Sequence, residues 1–214
     1  MKEALDRPSS EPAFGAPGAL LIIISGPSGV GKDTVIAALR KRHREPDYAF
    51  TVTCTTRGRR PGEVDGVSYR FLSEKAFDAL RRDGQLLEWA EVHGHRYGTP
   101  RQDVARDLAA GRDVILKIDV QGAATIKRAV PDALLIFIVP PSLETLFARL
   151  RSRATESADE LELRQRNAAI ELAHRSDYDY VVVNETGRVA ETARRIDEIV
   201  TEERARHGRR RIKL

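Results

Sequence analysis

The sequence predicts an α/β protein: a doubly wound parallel sheet, with a small mixed α/β insertion over one edge and a helical lid. Three observations predict it. Apolar, β-branched runs recur at residues 19–25, 113–118 and 134–139, with a shorter fourth at 180–183, as strands buried on both faces require. Helical patterns at residues 32–42, 101–110, 121–129, 142–150, 159–173 and 188–204 alternate with them, and such alternation is the mark of parallel strands joined by crossover helices. Between residues 50 and 99 the alternation breaks. Short strand-like runs at 51–54, 67–70 and 86–92 surround one helix at 74–82, which marks the insertion.

The ends and the composition bound the rest. Residues 1–18 are rich in Pro, Gly, Ser and charge without an apolar period, and read as a disordered leader. At 214 residues, 41% of them hydrophobic, the chain suits one sizeable core. No apolar run approaches the roughly 18 residues that span a membrane, so no membrane partner is expected. Cys54 is the only cysteine, which excludes an internal disulfide and a thiolate zinc site and fits a reducing cytoplasm. The net charge is +4, and residues 201–214 hold six basic side chains against Glu202 and Glu203. The whole excess therefore lies in the tail, which reads as a solvated helix end. The neutral remainder argues against a nucleic-acid face.

The first strand runs into Gly26-Pro27-Ser28-Gly29-Val30-Gly31-Lys32, and a helix follows. The spacing of Gly26, Gly31 and Lys32 matches the phosphate-cradling loop G-x-x-x-x-G-K, the P-loop, and strand–glycine turn–helix is the context that motif needs. Glycines let several N–H groups converge on one phosphate, while the helix N-terminus and the lysine add positive charge. The motif's usual Ser or Thr after the lysine is Asp33 here, with Thr34 one place later.

The insertion opens with Thr53-Cys54-Thr55-Thr56-Arg57-Gly58-Arg59-Arg60-Pro61-Gly62-Glu63. Arginines among hydroxyls make either an anion clamp or a solvated charged loop; a neighbouring phosphate loop favours the clamp, because a guanidinium offers two parallel donors. Tyr69 and Tyr97 either cap a phosphate with their hydroxyls or belong to the core. Glu88, in Leu87-Glu88-Trp89-Ala90-Glu91, is either a surface carboxylate or an acceptor for the paired N1–H and 2-amino donors of guanine, an arrangement that rejects a base lacking them. Trp89 is assigned to packing. Asp119 closes the run 114–118 at the edge where open α/β sheets bind ligands, and Lys117 just before it is an unusual residue for such a strand. Residues 151–166 are densely charged. Arg153 and Arg164, about three helical turns apart, either face a transferring phosphoryl group from a lid or belong to a salt-bridged helix. No serine or histidine has a nucleophile or metal-ligand setting. That fits transfer to a phosphate, whose second pKa of roughly 6 leaves the acceptor oxygen ionised without a general base.

These motifs, with Tyr97-Gly98-Thr99, Ile118-Asp119-Val120-Gln121-Gly122 and Arg149-Leu150…Arg153-Ala154-Thr155-Glu156…Arg164, occur in one order. In them the chain resembles the bacterial guanylate kinases from about residue 19 to 203. The resemblance implies transfer of the γ-phosphoryl of ATP to GMP or dGMP with Mg²⁺, in the cytoplasm, and leaves a homo-oligomer open. It implies a core (19–50, 100–150 and 167–205), a GMP-binding insertion (51–99), a lid (151–166) and a basic tail (206–214). By matching positions, Gly26, Pro27, Ser28, Gly29, Val30, Gly31, Lys32, Asp33 and Thr34 would hold the ATP phosphates, and Asn184 would contact adenine. Arg57, Arg60, Tyr69 and Tyr97 would grip the GMP phosphate. Thr53, Glu88, Thr99 and Asp119 would read guanine, and Lys32, Arg60, Arg153 and Arg164 would neutralise the transition state. No direct metal ligand follows; Asp33 or Thr34 would act through water. The chain departs from the family at Asp33, at Thr53 (usually Ser), at Ala154 (usually Gly) and at Lys117 (usually acidic). Two other readings compete. Ribose bisphosphate phosphokinases share the core and an Asp after the loop lysine, but differ across the guanine-reading segment. Scaffold modules with a guanylate-kinase-like shape lack an intact ATP loop.

Overall fold

The computed structural model describes residues 19–42, 48–92, 94–151, 158–207, 212 and 214. Its centre is a five-stranded, wholly parallel sheet in the order β2-β7-β1-β8-β9. These strands are β1 (Leu21–Ser25), β2 (Ala49–Phe50), β7 (Val114–Lys117), β8 (Leu134–Val139) and β9 (Tyr180–Val183). β1 is buried along its whole length and alternates between two cores, because successive strand side chains point to opposite faces. Ile22 and Ile24 pack into one core with Val35 and Leu39 of α1 (Lys32–Arg40) and with Ile196 and Val200 of α7 (Val189–His207). Leu21 and Ile23 pack into the other with Val104 and Leu108 of α3 (Arg101–Ala109) and Ile126 of α4 (Val120–Ala129). Helices on both faces of a parallel sheet give the doubly wound architecture.

The insertion forms its own four-stranded sheet, ordered β4-β3-β6-β5, from β3 (Cys54–Thr55), β4 (Arg70–Phe71), β5 (Leu86–Val92) and β6 (His95–Pro100). One helix, α2 (Glu74–Arg82), lies within this stretch, and Ser73 caps it by accepting from the Ala76 N–H. A small core of Phe77, Cys54 and Leu86 holds sheet and helix together. After β8 come α5 (Leu143–Arg151), α6 (Ala158–Ala173) and a short 3₁₀ turn, His174–Asp177.

Several sequence expectations change: of the runs at 51–54 and 67–70, only Cys54 and Arg70 fall in strands, β3 and β4. β6 was not expected, because His95-Arg96-Tyr97-Gly98-Thr99-Pro100 lacks apolar alternation; its pairing with β5 and β3 supplies the order instead. Likewise β2 is two residues at the sheet edge, too short to leave a pattern. Trp89 is not packed: it is 41% exposed, with the Arg81 guanidinium over its ring, because Glu88 and Ala90 point inward and strand alternation turns Trp89 out. The tail is not simply solvated. Ile212 is buried in the second core, and Arg204 donates at 2.7 Å to Asp113, a buried carboxylate that also accepts from the Leu20 N–H. Of the expected lid, residues 158–166 belong to the continuous helix α6. Residues 152–157, with Arg153 and Ala154, lie outside the described residues, as does the leader.

Candidate functional site

The site is built at the carboxyl ends of β1 and β7, where the insertion sheet faces the core. A cavity of about 180 Å³ lies there, and residues from the phosphate loop, the insertion, β7 and α6 line it.

Its floor is the loop at residues 26–32. Gly26, Gly29 and Gly31 have φ of 144°, 83° and 99°, a region that L side chains rarely occupy. Space is as restrictive as dihedral angle: a Cβ on Gly26 would lie 2.3 Å from the Ile138 carbonyl oxygen. Gly31 precedes α1 without a side-chain cap, so the helix N-terminus is left to a ligand. Lys32 folds back over the loop, donating to the carbonyls of Gly26 (2.5 Å) and Pro27 (3.1 Å). Burial lowers its pKa, opposed by the charges of Glu171 and Asp33. The Ser28 N–H donates at 2.8 Å to a carboxylate, that of Glu171 on α6, and Arg164 of the same helix reaches the Ser28 hydroxyl at 3.5 Å. The loop thus holds an anion from its own chain.

Asn184 sits beneath this loop. It is buried, its Nδ2 donates to the Val30 carbonyl at 2.8 Å and its Oδ1 accepts from Thr192. Arg149 donates to the same Val30 carbonyl and to the backbone of Asn184. Both side chains brace the loop, and the Asn184 amide, expected to contact adenine, is here engaged by Val30 and Thr192.

The insertion supplies the opposite wall. Arg57 is buried, donating to the Gly58 carbonyl (2.6 Å) and to Glu63 (2.7 Å), while the other Glu63 oxygen accepts from the Arg60 N–H. Burial works against the Arg57 charge, but bonds to Glu63 and Tyr97 outweigh it and raise the pKa. Burial would raise the Glu63 pKa, and bonds from Arg57 and Arg60 overcome that and lower it. The motif by itself gives Glu63 no role; its bonds to Arg57 and Arg60 make it the organiser of the arginine loop. Arg60 is exposed and lines the cavity. Tyr69 and Tyr97 meet edge to face at 5.9 Å, and the Arg57 guanidinium lies 5.4 Å from the Tyr69 ring.

Beside this wall stands a buried carboxylate. Glu88 is 4% exposed and accepts from the Thr99 hydroxyl at 2.6 Å. Burial, and then the negative charge of Asp119, push its pKa up to about 7, although the Thr99 hydrogen bond favours the charged form. Gly122 admits this group: a Cβ there would lie 2.6 Å from Glu88 Oε2. Thr53 is buried nearby. Asp119 lines the same cavity and caps α4, accepting from the Gly122 N–H at 2.7 Å.

Half of the sequence-selected residues therefore meet around one cavity: Gly26, Ser28, Lys32, Thr53, Arg60, Tyr69, Glu88, Tyr97, Asp119 and Arg164 all line it. Arg57 and Thr99 stand just behind, through Tyr97 and Glu88. Glu171 and Lys117 line it too, and sequence reasoning gave them no role. Among the described residues, no group of three or more His, Cys, Asp or Glu could hold a metal. Asp33 is engaged by Lys117, and Thr34 is exposed on the first turn of α1. Such a donor set fits a cation that arrives on nucleotide phosphates and keeps most of its waters. It does not make a resident cage. Chemically, the cavity offers a phosphate cradle, facing cations, and a buried acceptor for paired N–H donors.

Comparison with known proteins places the chain in a family. The family profile described as "Guanylate kinase" matches residues 19–203. A guanylate kinase of Mycobacterium sp. (strain MCS) is 51% identical over 166 residues, covering 77% of this chain and 83% of that relative. One from Gloeobacter violaceus is 46% identical over 197 residues, covering 92% and 94%. The crystal structure of guanylate kinase from Anaplasma phagocytophilum superposes with a TM-score of 0.72 at 32% identity, covering 89% of each chain.

Proposed function

This chain belongs to the guanylate kinase family, and we propose that the cavity between its phosphate loop and its insertion holds ATP and GMP with their phosphates facing. The protein is an ATP:GMP phosphotransferase that yields ADP and GDP. The observation that carries the residue assignments is the meeting of a glycine loop, an arginine–tyrosine wall and the buried Glu88 around one cavity.

On the donor side, N–H groups of residues 26–34 receive the ATP phosphates and Lys32 turns from its carbonyl partners toward the γ-phosphoryl. The Ser28 N–H becomes available as Glu171 withdraws. Asn184 and Arg149 keep the loop in shape beneath the nucleotide. On the acceptor side, Arg60, Tyr69 and Tyr97 bind the GMP phosphate, and Arg57, locked by Glu63, completes the clamp. Glu88 accepts the two N–H donors on the guanine edge, with Thr53, Thr99 and Asp119 around it. dGMP fits the same reading, which uses no ribose hydroxyl.

The acceptor phosphate oxygen is itself the nucleophile and is ionised near neutral pH, so this chain's residues align reactants and neutralise charge. Lys32, Arg60 and Arg164 do so from three sides, and Arg153, outside the described residues, joins them. Magnesium bound to the ATP phosphates, held through water by Asp33 or Thr34, would supply further charge neutralisation. No helix among the described residues is long and apolar enough to cross a membrane.

A coupled assay on the pure protein, offering GMP, dGMP, AMP, UMP and ribose bisphosphate with ATP and Mg²⁺, tests this reading. Turnover confined to GMP and dGMP is expected. Equal turnover of AMP or UMP would remove the assigned role of Glu88.

A further inference from the structure

Lys117 holds a position that the assignments above leave unused. It is the last residue of β7, in register with Ile24 of β1, so its side chain leaves the sheet edge beside the phosphate loop. The side chain is 19% exposed and lines the substrate cavity. Its ammonium donates to two groups on different elements. One is Asp33, in the first turn of α1 and next to Lys32. The other is the Tyr69 hydroxyl of the insertion, at 3.0 Å. The nitrogen also lies 4.7 Å from the Tyr69 ring centroid.

An ammonium has three N–H donors, and these bonds account for two. Burial opposes the charge, but Tyr69 and Asp33 outweigh it and raise the pKa. Lys117 is therefore a fixed cation. It touches the donor helix on one side and the phosphate-binding tyrosine on the other.

The geometry points to Lys117 as a further ligand of the acceptor phosphate, with Asp33 as the positioning residue that holds its ammonium in place. A phosphate oxygen that reaches the Tyr69 hydroxyl comes within reach of the neighbouring ammonium, whose third donor meets it. The same contact ties α1 to the insertion, so the acceptor is positioned relative to the loop that carries the donor. Asp33, 76% exposed, remains solvated whether or not Lys117 is present, so removing the lysine strands no buried charge.

The inference rests on the GMP reading, and its test separates the two. Binding of GMP and of guanosine is measured by calorimetry in the wild type, Lys117→Met and Lys117→Arg, without ATP. In the wild type, GMP binding tighter than AMP binding supports the base reading; equal affinity overturns that reading alone. Lys117→Met is expected to weaken GMP by about 10- to 100-fold, the size of one charge-assisted hydrogen bond, and guanosine by less than about twofold. Lys117→Arg is expected to recover most of the GMP loss. Asp33→Asn, which keeps an acceptor but not the charge, is expected to weaken GMP less than Lys117→Met, and to reduce what Lys117→Met costs when the two are combined. An equal loss for guanosine and GMP would make Lys117 a structural strut, and an unchanged GMP affinity would remove it from the site; either result overturns the inference. Should Lys117→Met lose its thermal transition, Lys117→Gln carries the same comparison.

Discussion

Replacing Glu88 by Gln tests the base-reading role at its centre. One Glu88 oxygen accepts from Thr99, and a Gln that keeps this bond turns its amino group toward the guanine edge. Two N–H donors then face a donor. Two charge-assisted hydrogen bonds at about 1.5 kcal/mol each make a loss of about 3 kcal/mol, or roughly 150-fold in GMP affinity at pH 8. ATP, held by the glycine loop, should change by less than about twofold. Calorimetry with GMP and, separately, a non-hydrolysable ATP analogue reads both sites. Parallel losses at the two sites, or a GMP loss below about fivefold, would refute the reasoning.

The same carboxyl makes a pH prediction with a definite sign. Its folded-state pKa lies near 7, above the ordinary 4.5. Proton binding to the folded state therefore adds stability that is complete below about pH 4.5 and is lost as pH rises through 7. From pH 6 to pH 8 the wild type should lose about 1 kcal/mol in denaturant unfolding relative to Glu88→Gln. GMP binding runs the other way, because guanine's donors favour the ionised form. It should be about tenfold weaker at pH 6 than at pH 8 for this reason alone. The GMP phosphate adds a slope through its own pKa of roughly 6, so guanosine is the cleaner ligand. A guanosine slope that survives Glu88→Gln would assign the titration elsewhere.

Three further predictions follow from the loop and the tail. Gly26→Ala drives a methyl into the main chain of β8; we expect a loss of about 2 to 3 kcal/mol in denaturant unfolding with ATP binding abolished, and a variant that binds ATP normally would contradict the close approach. Glu171→Gln weakens the carboxylate's hold on the Ser28 N–H; the KM for ATP should fall about fivefold, equivalent to about 1 kcal/mol of competing hydrogen bond, whereas a rise would mean that Glu171 assists the nucleotide. Arg204→Ala removes one guanidinium donor from the buried Asp113; we expect about 2 kcal/mol of destabilisation, below the value for a fully buried pair because Arg204 is partly exposed, read by urea denaturation with the GMP KM unchanged.

What the sequence made legible is what repeats or clusters locally. The buried runs at 21–25, 114–117 and 134–139 announced themselves because each strand buries both faces, and the glycine loop did so because its chemistry fits in seven consecutive residues. Short partners of longer strands did not. β2 has two residues, and β6 carries Gly98 because a Cβ there would lie 2.9 Å from Leu86, so packing set its composition against strand appearance.

The harder part to read was which polar groups partner one another across the chain. Lys117 and Asp33 are 84 positions apart, Ser28 and Glu171 143, and Asp113 and Arg204 91. Nothing in the local run around either member names its distant partner. In contact, Lys117 and Asp33 compensate one another, since either charge alone would alter the field beside Lys32. That compensation has a consequence for how the site works. Asp33 and Lys117 together add no net charge to the phosphate cradle, yet they place the positive end toward Tyr69 and the negative end on α1. The pair therefore favours an anion at the acceptor wall while leaving the donor loop's balance nearly unchanged. Substituting both residues at once should disturb GMP far more than metal-free ATP.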